Sequence, residues 1–362
     1  MPNNFTGKAG IQLPNEDKED EDEEEGMNDP VDANETTTYA LNNTFVHPEM
    51  FYISGFQDMP FANYFYIFLF LVYILTVFCN AFLIVLIYLE QSFHSPKYIA
   101  VSNLALADLC TTTAVIPKAI DTFLFNSNFI RYDACLANMF FVPYFSAVQS
   151  LSLVILAYDR FLAICFPLQY HSINTNSRMI IIISSTWMFS AVTLSIMVLL
   201  ITRLNFCGST VINSYFCDHG PVYRLACNDF YINIIMAFTN IALFLFVPLT
   251  FILFTYLAIG VTLLKITTSE GRQKALKTCT SHIILVAMFY IPIAVTYLSA
   301  TFVNFHPNAR ILNNLLSSTI PPMLNPIIYT LKTDEMMNSV KKLLKSKQGK
   351  NGKVRNFKVL SQ

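Results

Sequence analysis

The stretch LAYDRFLAICFPLQY, residues 156–170, places Asp159 and Arg160 side by side in an apolar run that reaches back to about Phe140 and forward to Phe166. Two charges are costly in hydrocarbon unless the helix carrying them ends there, at the water interface. The rest of the chain says that a membrane surrounds that helix. Of its 362 residues, 54% are apolar, and the mean hydropathy is strongly positive, outside the range of a soluble globular chain. The formal net charge of -1 hides an asymmetry: residues 16–25, EDKEDEDEEE, hold nine acids and one Lys, while the residues after 332 are rich in Lys. The acidic run repels itself and stays solvated. Residues 1–15 have neither a basic start nor an apolar core, so the first span is expected to act as its own insertion signal.

A helix needs about 20 mostly apolar residues to cross the hydrocarbon. Seven stretches have that length, at roughly 64–89, 98–122, 135–165, 179–201, 229–264, 276–301 and 309–331. The second and seventh are the least apolar, because they hold Asp108, Lys118, Asn313, Asn314 and Asn325. The expected fold is an all-α membrane protein, a seven-transmembrane helix bundle. Residues 1–63 read as an acidic, disordered extracellular tail, 64–331 as the bundle, and 332–362 as a basic cytoplasmic tail.

Lys and Arg set the orientation, since short cytoplasmic loops retain positive charge. With the amino end outside, the inner segments hold Lys97, Arg160, Arg178, Lys265, Arg272, Lys274, Lys277 and Lys332, followed by the lysine-rich tail. The outer segments hold fewer basic residues. Asn4, Asn34 and Asn42 each begin an N-x-T sequon, which is glycosylated only on the lumenal side, and Asn42 lies best for it. Cys135, Cys207, Cys217 and Cys227 fall on the same outer face, where disulfides persist. Four cysteines allow three pairings, and spacing does not choose among them. Neither CxxC nor HExxH occurs, so no metal site is expected. After the seventh span, TDEMMNSVKKLLKSK (333–347) sets Met336, Val340, Leu343 and Leu344 on one helical face and lysines on the other. That pattern describes a short amphipathic eighth helix lying on the membrane surface.

Polar residues inside spans are functional hypotheses by default. They are Asn80 in the first span, Asn103 and Asp108 in the second, Gln149 and Ser150 in the third, and Asn325 in the seventh. Locking helices together is the simpler role for such groups. Pro143, Pro248, Pro292 and Pro326 each free a backbone carbonyl and permit a kink.

Five motifs carry a resemblance that covers residues 42–347: NNTFVHPEMFYISGF (42–56), HSPKYIAVSNLALADL (94–109), LAYDRFLAICFPLQY (156–170), KALKTCTSHIILV (274–286) and PPMLNPIIYTLK (321–332). The chain resembles an olfactory receptor of the rhodopsin-like G protein-coupled receptor family, close to fish members. The acidic head is not part of the family pattern.

The resemblance implies an odorant receptor that binds small odorants in the outer half of the bundle. It would activate a heterotrimeric G protein of the stimulatory olfactory type and raise cyclic AMP. Arg160 would hold the inactive state near the inner face and meet the G protein, with Asp159 as its adjacent partner. Tyr256 and Tyr329 would rearrange with it, and Asn325, Pro326 and Tyr329 form the NPxxY element. Asn80, Asp108 and Gln149 belong to the central polar network. Cys135 would pair with Cys217, and Cys207 with Cys227. The implied pocket comprises Val142, Pro143, Ser146 and Ala147 in span three, Asn240, Ile241 and Phe244 in span five, Ile293 and Tyr297 in span six, and His219 in the second outer loop. Phe161 replaces the usual Tyr after the Arg, and Cys79 the usual Gly before Asn80. Gln149 replaces a Glu found in many members, which removes one charge that a sodium ion near Asp108 would use.

Absences narrow the ligand. No acid lies between Cys135 and Gln149 to pair with an amine, and the outer half of span six has no Arg or Lys to hold a carboxylate. A carboxylic acid would have only His219, Arg203 or Arg224 as partners. No inverted repeat of a transporter and no catalytic set of an enzyme is visible. Neither a cofactor nor a nucleic-acid partner is implied. The expected location is the plasma membrane, in the cilia or microvilli of olfactory sensory neurons, with the lipid bilayer as a partner.

Overall fold

The computed structural model describes residues 46–56, 62–124, 127–302, 306–332 and 335–342. The sequons at Asn4, Asn34 and Asn42 and the acidic run lie outside the described residues. The seven spans are Ala62–Leu89, Pro96–Leu124, Tyr132–Cys165, Asn176–Leu199, a fifth running from Tyr231 to Lys265, Ser269–Phe302 and Pro307–Lys332. Six contain helices long and apolar enough to cross a membrane. The seventh, rich in Asn, Ser and Pro, is a continuous helix packed on the first, second and sixth spans. Helix is the form lipid permits, because each backbone N–H and C=O finds its partner within the segment. Short devices set the ends: Pro96 opens the second span, and the Thr175 side chain accepts from Arg178 N at 3.4 Å to cap the fourth. The third span is central, packing on the second, fourth, fifth and sixth.

Two carbonyls freed by prolines are bonded by side chains from neighbouring spans. Pro248 removes the N–H that a regular helix would direct at the Phe244 carbonyl, and the fifth span winds there as a π-turn over Ala242–Phe246. Ser150 Oγ donates to that carbonyl at 2.6 Å. Pro326 likewise leaves the Pro322 carbonyl without its backbone donor, and Asn80 Nδ2 supplies one at 2.9 Å. The seventh span therefore keeps its fold at the NPxxY element by a bond from the first.

The end of the bundle that the charge pattern reads as outer carries a small sheet that periodicity over so few residues did not suggest. β1 (Met50–Ile53) lies between β2 (Phe129–Arg131), antiparallel to it, and β3 (Val211–Ile212), parallel to it. Alternation in MFYI drives Phe51 and Ile53 to complete burial. The boundary expected for a disordered tail at residue 63 is therefore too late: residues 46–56 belong to the folded outer face. His47 reinforces this by stacking on Tyr132, with centroids 4.5 Å apart, while Val46 N donates to Asn205 Oδ1 at 2.8 Å.

Residues 335–342 are helical, with Met336 fully buried and Val340 packed on the same core. Tyr98 at the start of the second span donates to Glu335, which anchors this helix to the bundle. Leu343 and Leu344 lie outside the described residues.

Candidate functional site

In the middle of the bundle, Asp108 is fully buried and receives one amide on each carboxylate oxygen: Gln149 Nε2 at 2.7 Å and Asn325 Nδ2 at 2.8 Å. A buried carboxylate demands such donors, because it has given up its hydration. Gln149, which lacks the charge of a Glu, acts here as a donor. Asn80 joins through the seventh span, bonding the Pro322 carbonyl. Beside these groups lies a cavity of about 10 Å³, lined in part by Leu104, Leu285 and Phe289. It has room for about one water. A second set ties spans two, three and four: Asn103 Nδ2 donates to Ser152 Oγ at 2.7 Å, and Trp187 Nε1 donates to Asn103 Oδ1 at 2.8 Å.

One residue after Gln149, the Ser150 hydroxyl lies 2.8 Å from that of Tyr290. Ser150 thus joins spans three, five and six at one point, below the residues of the implied pocket. Those residues occupy three apolar clusters. Ala147 and Phe244 pack in the cluster that holds Cys217, Val222 and Tyr223. Val142 packs with Tyr215 and Leu315, while Ile241 and Ile293 pack on the central core. Pro143 and Ser146 are half-buried on the same helix. The side chain of Tyr297 lies outside the described residues.

Over this region the second outer loop is pinned by disulfides Cys135–Cys217 and Cys207–Cys227. His219, two residues after Cys217, opens the short helix His219–Tyr223 and is buried, at 7% exposure. Its Nε2 has no hydrogen-bond partner, and burial pushes the imidazole down from 6.5 to about 4. His219 is therefore not an exposed loop histidine. The basic residues near the loop are occupied. Arg203 donates to the Asp229 carbonyl and Asn233 Oδ1, Arg310 donates to the Asn213 carbonyl, and Arg224 lies over the Tyr223 ring.

At the inner face, Asp159 is buried and does not form an ion pair with Arg160 among the described residues. Its carboxylate accepts instead from Tyr170 Oη at 2.7 Å and Asn174 Nδ2 at 2.8 Å. Asp159 therefore holds the second inner loop, through a hydroxyl and an amide. Burial and the Asp159 carboxylate push the Tyr170 phenol upward, so it remains a donor.

Sequence reasoning overlooked the residue that joins the inner halves of three spans. The Tyr256 hydroxyl lies 2.7 Å from Nδ1 of His282, and Nε2 of His282 lies 3.1 Å from the Leu153 carbonyl. Spans five, six and three meet in that one imidazole, which is 3% exposed. A histidine at the edge of the apolar run IILVAMFY (283–290) was the available signal. Tyr329 is buried nearby, its hydroxyl without a hydrogen-bond partner. Leu168 of the second inner loop is fully exposed, an apolar side chain facing outward at the inner end of the bundle.

The fold and the motif order agree with comparisons to known proteins. A family model described as olfactory receptor matches residues 69–347. Olfactory receptor 2A12 of Homo sapiens is 36% identical over 292 residues, 80% of this chain and 94% of that protein. Olfactory receptor 4B13 of Mus musculus is 33% identical over 301 residues, 83% of this chain and 97% of that protein. Squid rhodopsin, known from a crystal structure, has a TM-score of 0.63 at 18% identity, covering 79% of this chain and 87% of its own, which bears on the fold alone. Its matching motifs, seven-helix bundle and full-length relatives place this chain in the olfactory receptor family, as a multi-pass membrane receptor rather than an enzyme.

Proposed function

We propose that the chain is an odorant receptor whose outer half binds a small molecule and whose inner face activates a heterotrimeric G protein of the stimulatory olfactory type, raising cyclic AMP. The observation that carries this reading is the lock of Tyr256, His282 and Leu153. It holds the inner end of span six to spans five and three, next to Arg160. Ser150 and Tyr290 connect the floor of the outer site to the same spans. A ligand that pulls on spans three, five and six in the outer half works on the helices joined by His282 in the inner half.

The signal is a population shift. It requires a ligand with higher affinity for the arrangement in which span six leaves Leu153 and frees Arg160. Leu168, exposed beside the loop that Asp159 anchors, then supplies apolar surface for the G protein. Asp108, Gln149, Asn325 and Asn80 couple the seventh span, with Pro326 and Tyr329, to this change. The chain sits in the plasma membrane with residues 1–63 outside and 332–362 in the cytoplasm, in olfactory cilia or microvilli, and Asn42 is the favoured glycosylation site.

A cyclic-AMP reporter screen of waterborne odorants in transfected cells tests this reading. The expected result is a response to a subset of odorants that Arg160→Ala abolishes at equal surface expression. A full response in Arg160→Ala would remove Arg160 from the switch.

A further inference from the structure

We infer that Tyr215 of the second outer loop is a tethered plug: it fills a cleft between spans one, two, three and seven that takes a phenol-sized aromatic alcohol when the plug is withdrawn. Among the described residues, none from spans five or six belongs to this cleft, and Val142 alone is common to it and to the implied pocket between spans three, five and six.

Tyr215 belongs to a loop, yet it is 3% exposed. Its ring packs in one apolar cluster with Leu69 of the first span, Ile116 and Ala119 of the second, Val142 of the third and Leu315 of the seventh. Loop side chains ordinarily stay at the surface, so one driven this deep is held there by its backbone. Bonds on both sides hold it. The Ser214 carbonyl accepts from Gly55 N at 3.2 Å, and the Asn213 carbonyl accepts from Arg310 Nη2 at 2.8 Å. After the ring, Cys217 N donates to Asn138 Oδ1 at 3.1 Å, and the Cys135–Cys217 disulfide fixes the chain to span three. A tyrosine inserted in this way ties the loop to the seventh span and closes the cleft to molecules from outside.

The chemistry of the cleft follows from what Tyr215 uses. Its walls are aliphatic, and a ring buried between them gains from area and from packing. The polar contact is at the phenol, which hydrogen-bonds the Ser318 side chain of the seventh span. The Ser318 hydroxyl already donates to the Asn314 carbonyl at 2.9 Å, so Ser318 Oγ is left as an acceptor and its partner must donate. An aromatic ring with a hydroxyl meets both demands. A hydrocarbon ring meets the first alone, and a methyl ether has no proton to give.

The test uses the full-length receptor in lipid nanodiscs and reads thermal unfolding with phenol, benzene and anisole. Tyr215→Ala is expected to lower the midpoint, because it leaves an apolar cavity, and such a cavity stays dry and accepts an aromatic molecule of its size. Phenol, the part of the side chain that Tyr215→Ala removes, is expected to recover most of that loss in the variant and to leave the parent unchanged. Benzene recovers less, and anisole no more than benzene. Ala119→Phe added to Tyr215→Ala refills the cleft and removes the effect of phenol. If Tyr215→Ala does not reach the cell surface, phenol in the culture medium is expected to restore surface expression in flow cytometry. An equal shift in the parent and in Tyr215→Ala would show partition into the bilayer and overturn the inference. So would no recovery by phenol in midpoint or surface expression, equal recovery by phenol and anisole, or a phenol effect that survives Ala119→Phe. Neither readout involves a G protein, so the outcome is independent of whether the receptor signals through cyclic AMP.

Discussion

The Tyr256 hydroxyl and the His282 imidazole lie 2.7 Å apart, while the far nitrogen of His282 meets the Leu153 carbonyl at 3.1 Å. Which ring nitrogen carries the proton decides the donor in each bond, and one proton serves only one of them at a time. With Nε2 protonated, His282 donates to Leu153 and accepts from Tyr256, so both bonds are satisfied. That tautomer makes the imidazole a bridge across three spans.

His282→Phe keeps the ring and removes both bonds. If the lock holds the resting state, its loss shifts the equilibrium toward the open arrangement by about 1–2 kcal/mol, which corresponds to roughly a five- to thirtyfold rise in basal cyclic AMP before saturation. Ligand-free reporter assays at matched surface expression check this.

The Asp108 network predicts an asymmetry between removing a donor and removing the charge. Asn325→Leu leaves a carboxylate oxygen buried without its partner and is expected to cost about 2–3 kcal/mol of stability. Asp108→Asn removes the charge while keeping the shape, and the double substitution Asp108→Asn with Asn325→Leu is expected to cost less than the sum of the two. Thermal unfolding in detergent of the single and double variants reads the difference.

His219 predicts a dependence of stability on pH. Burial lowers its folded-state pKa from 6.5 to about 4, so between those values the unfolded chain binds more protons than the folded one. Stability is fully present above 6.5 and declines as pH falls toward 4, by about 3 kcal/mol over the window. His219→Gln is expected to remove that part of the slope and leave the behaviour above neutrality unchanged, as seen in unfolding midpoints across the pH range.

The outer sheet predicts that residues before the first span matter for folding. Phe51 is completely buried, packed edge-on to Phe206 at 5.3 Å. Phe51→Ala is expected to cost about 3–5 kcal/mol and to reduce surface expression in flow cytometry. Met50→Ala, at an exposed position of the same strand, leaves expression unchanged.

The sequence made the helical spans and the spacing of the buried polar residues legible, because lipid leaves a helix few alternatives and each buried polar group stands out against an apolar background. Asp108, Gln149 and Asn325 stood out for that reason and are joined by hydrogen bonds, while Asn80 bonds the Pro322 carbonyl of the seventh span. His282 carries the same signal, but the polar residues around it at the inner end of span six mask it. The partners of Asp159 were illegible: Tyr170 and Asn174 lie in a loop whose path no periodicity fixes. The sheet of β1, β2 and β3 depends on segments 76 to 162 residues apart meeting across loops, and strands of two to four residues are too short to show alternation. The proline positions marked freed carbonyls, but which side chains would fill them required the packing of neighbouring spans.

The measurement that bears most directly on the central claim is the distance between the inner end of span six and the second inner loop, read by double electron–electron resonance. Spin labels at Leu276→Cys and Ser172→Cys, both exposed positions, in a receptor whose free cysteines are replaced, would be compared without and with an odorant that raises cyclic AMP. A second, longer distance is expected, growing with odorant and already present without odorant in His282→Phe. A single unchanged distance under an activating odorant would contradict it.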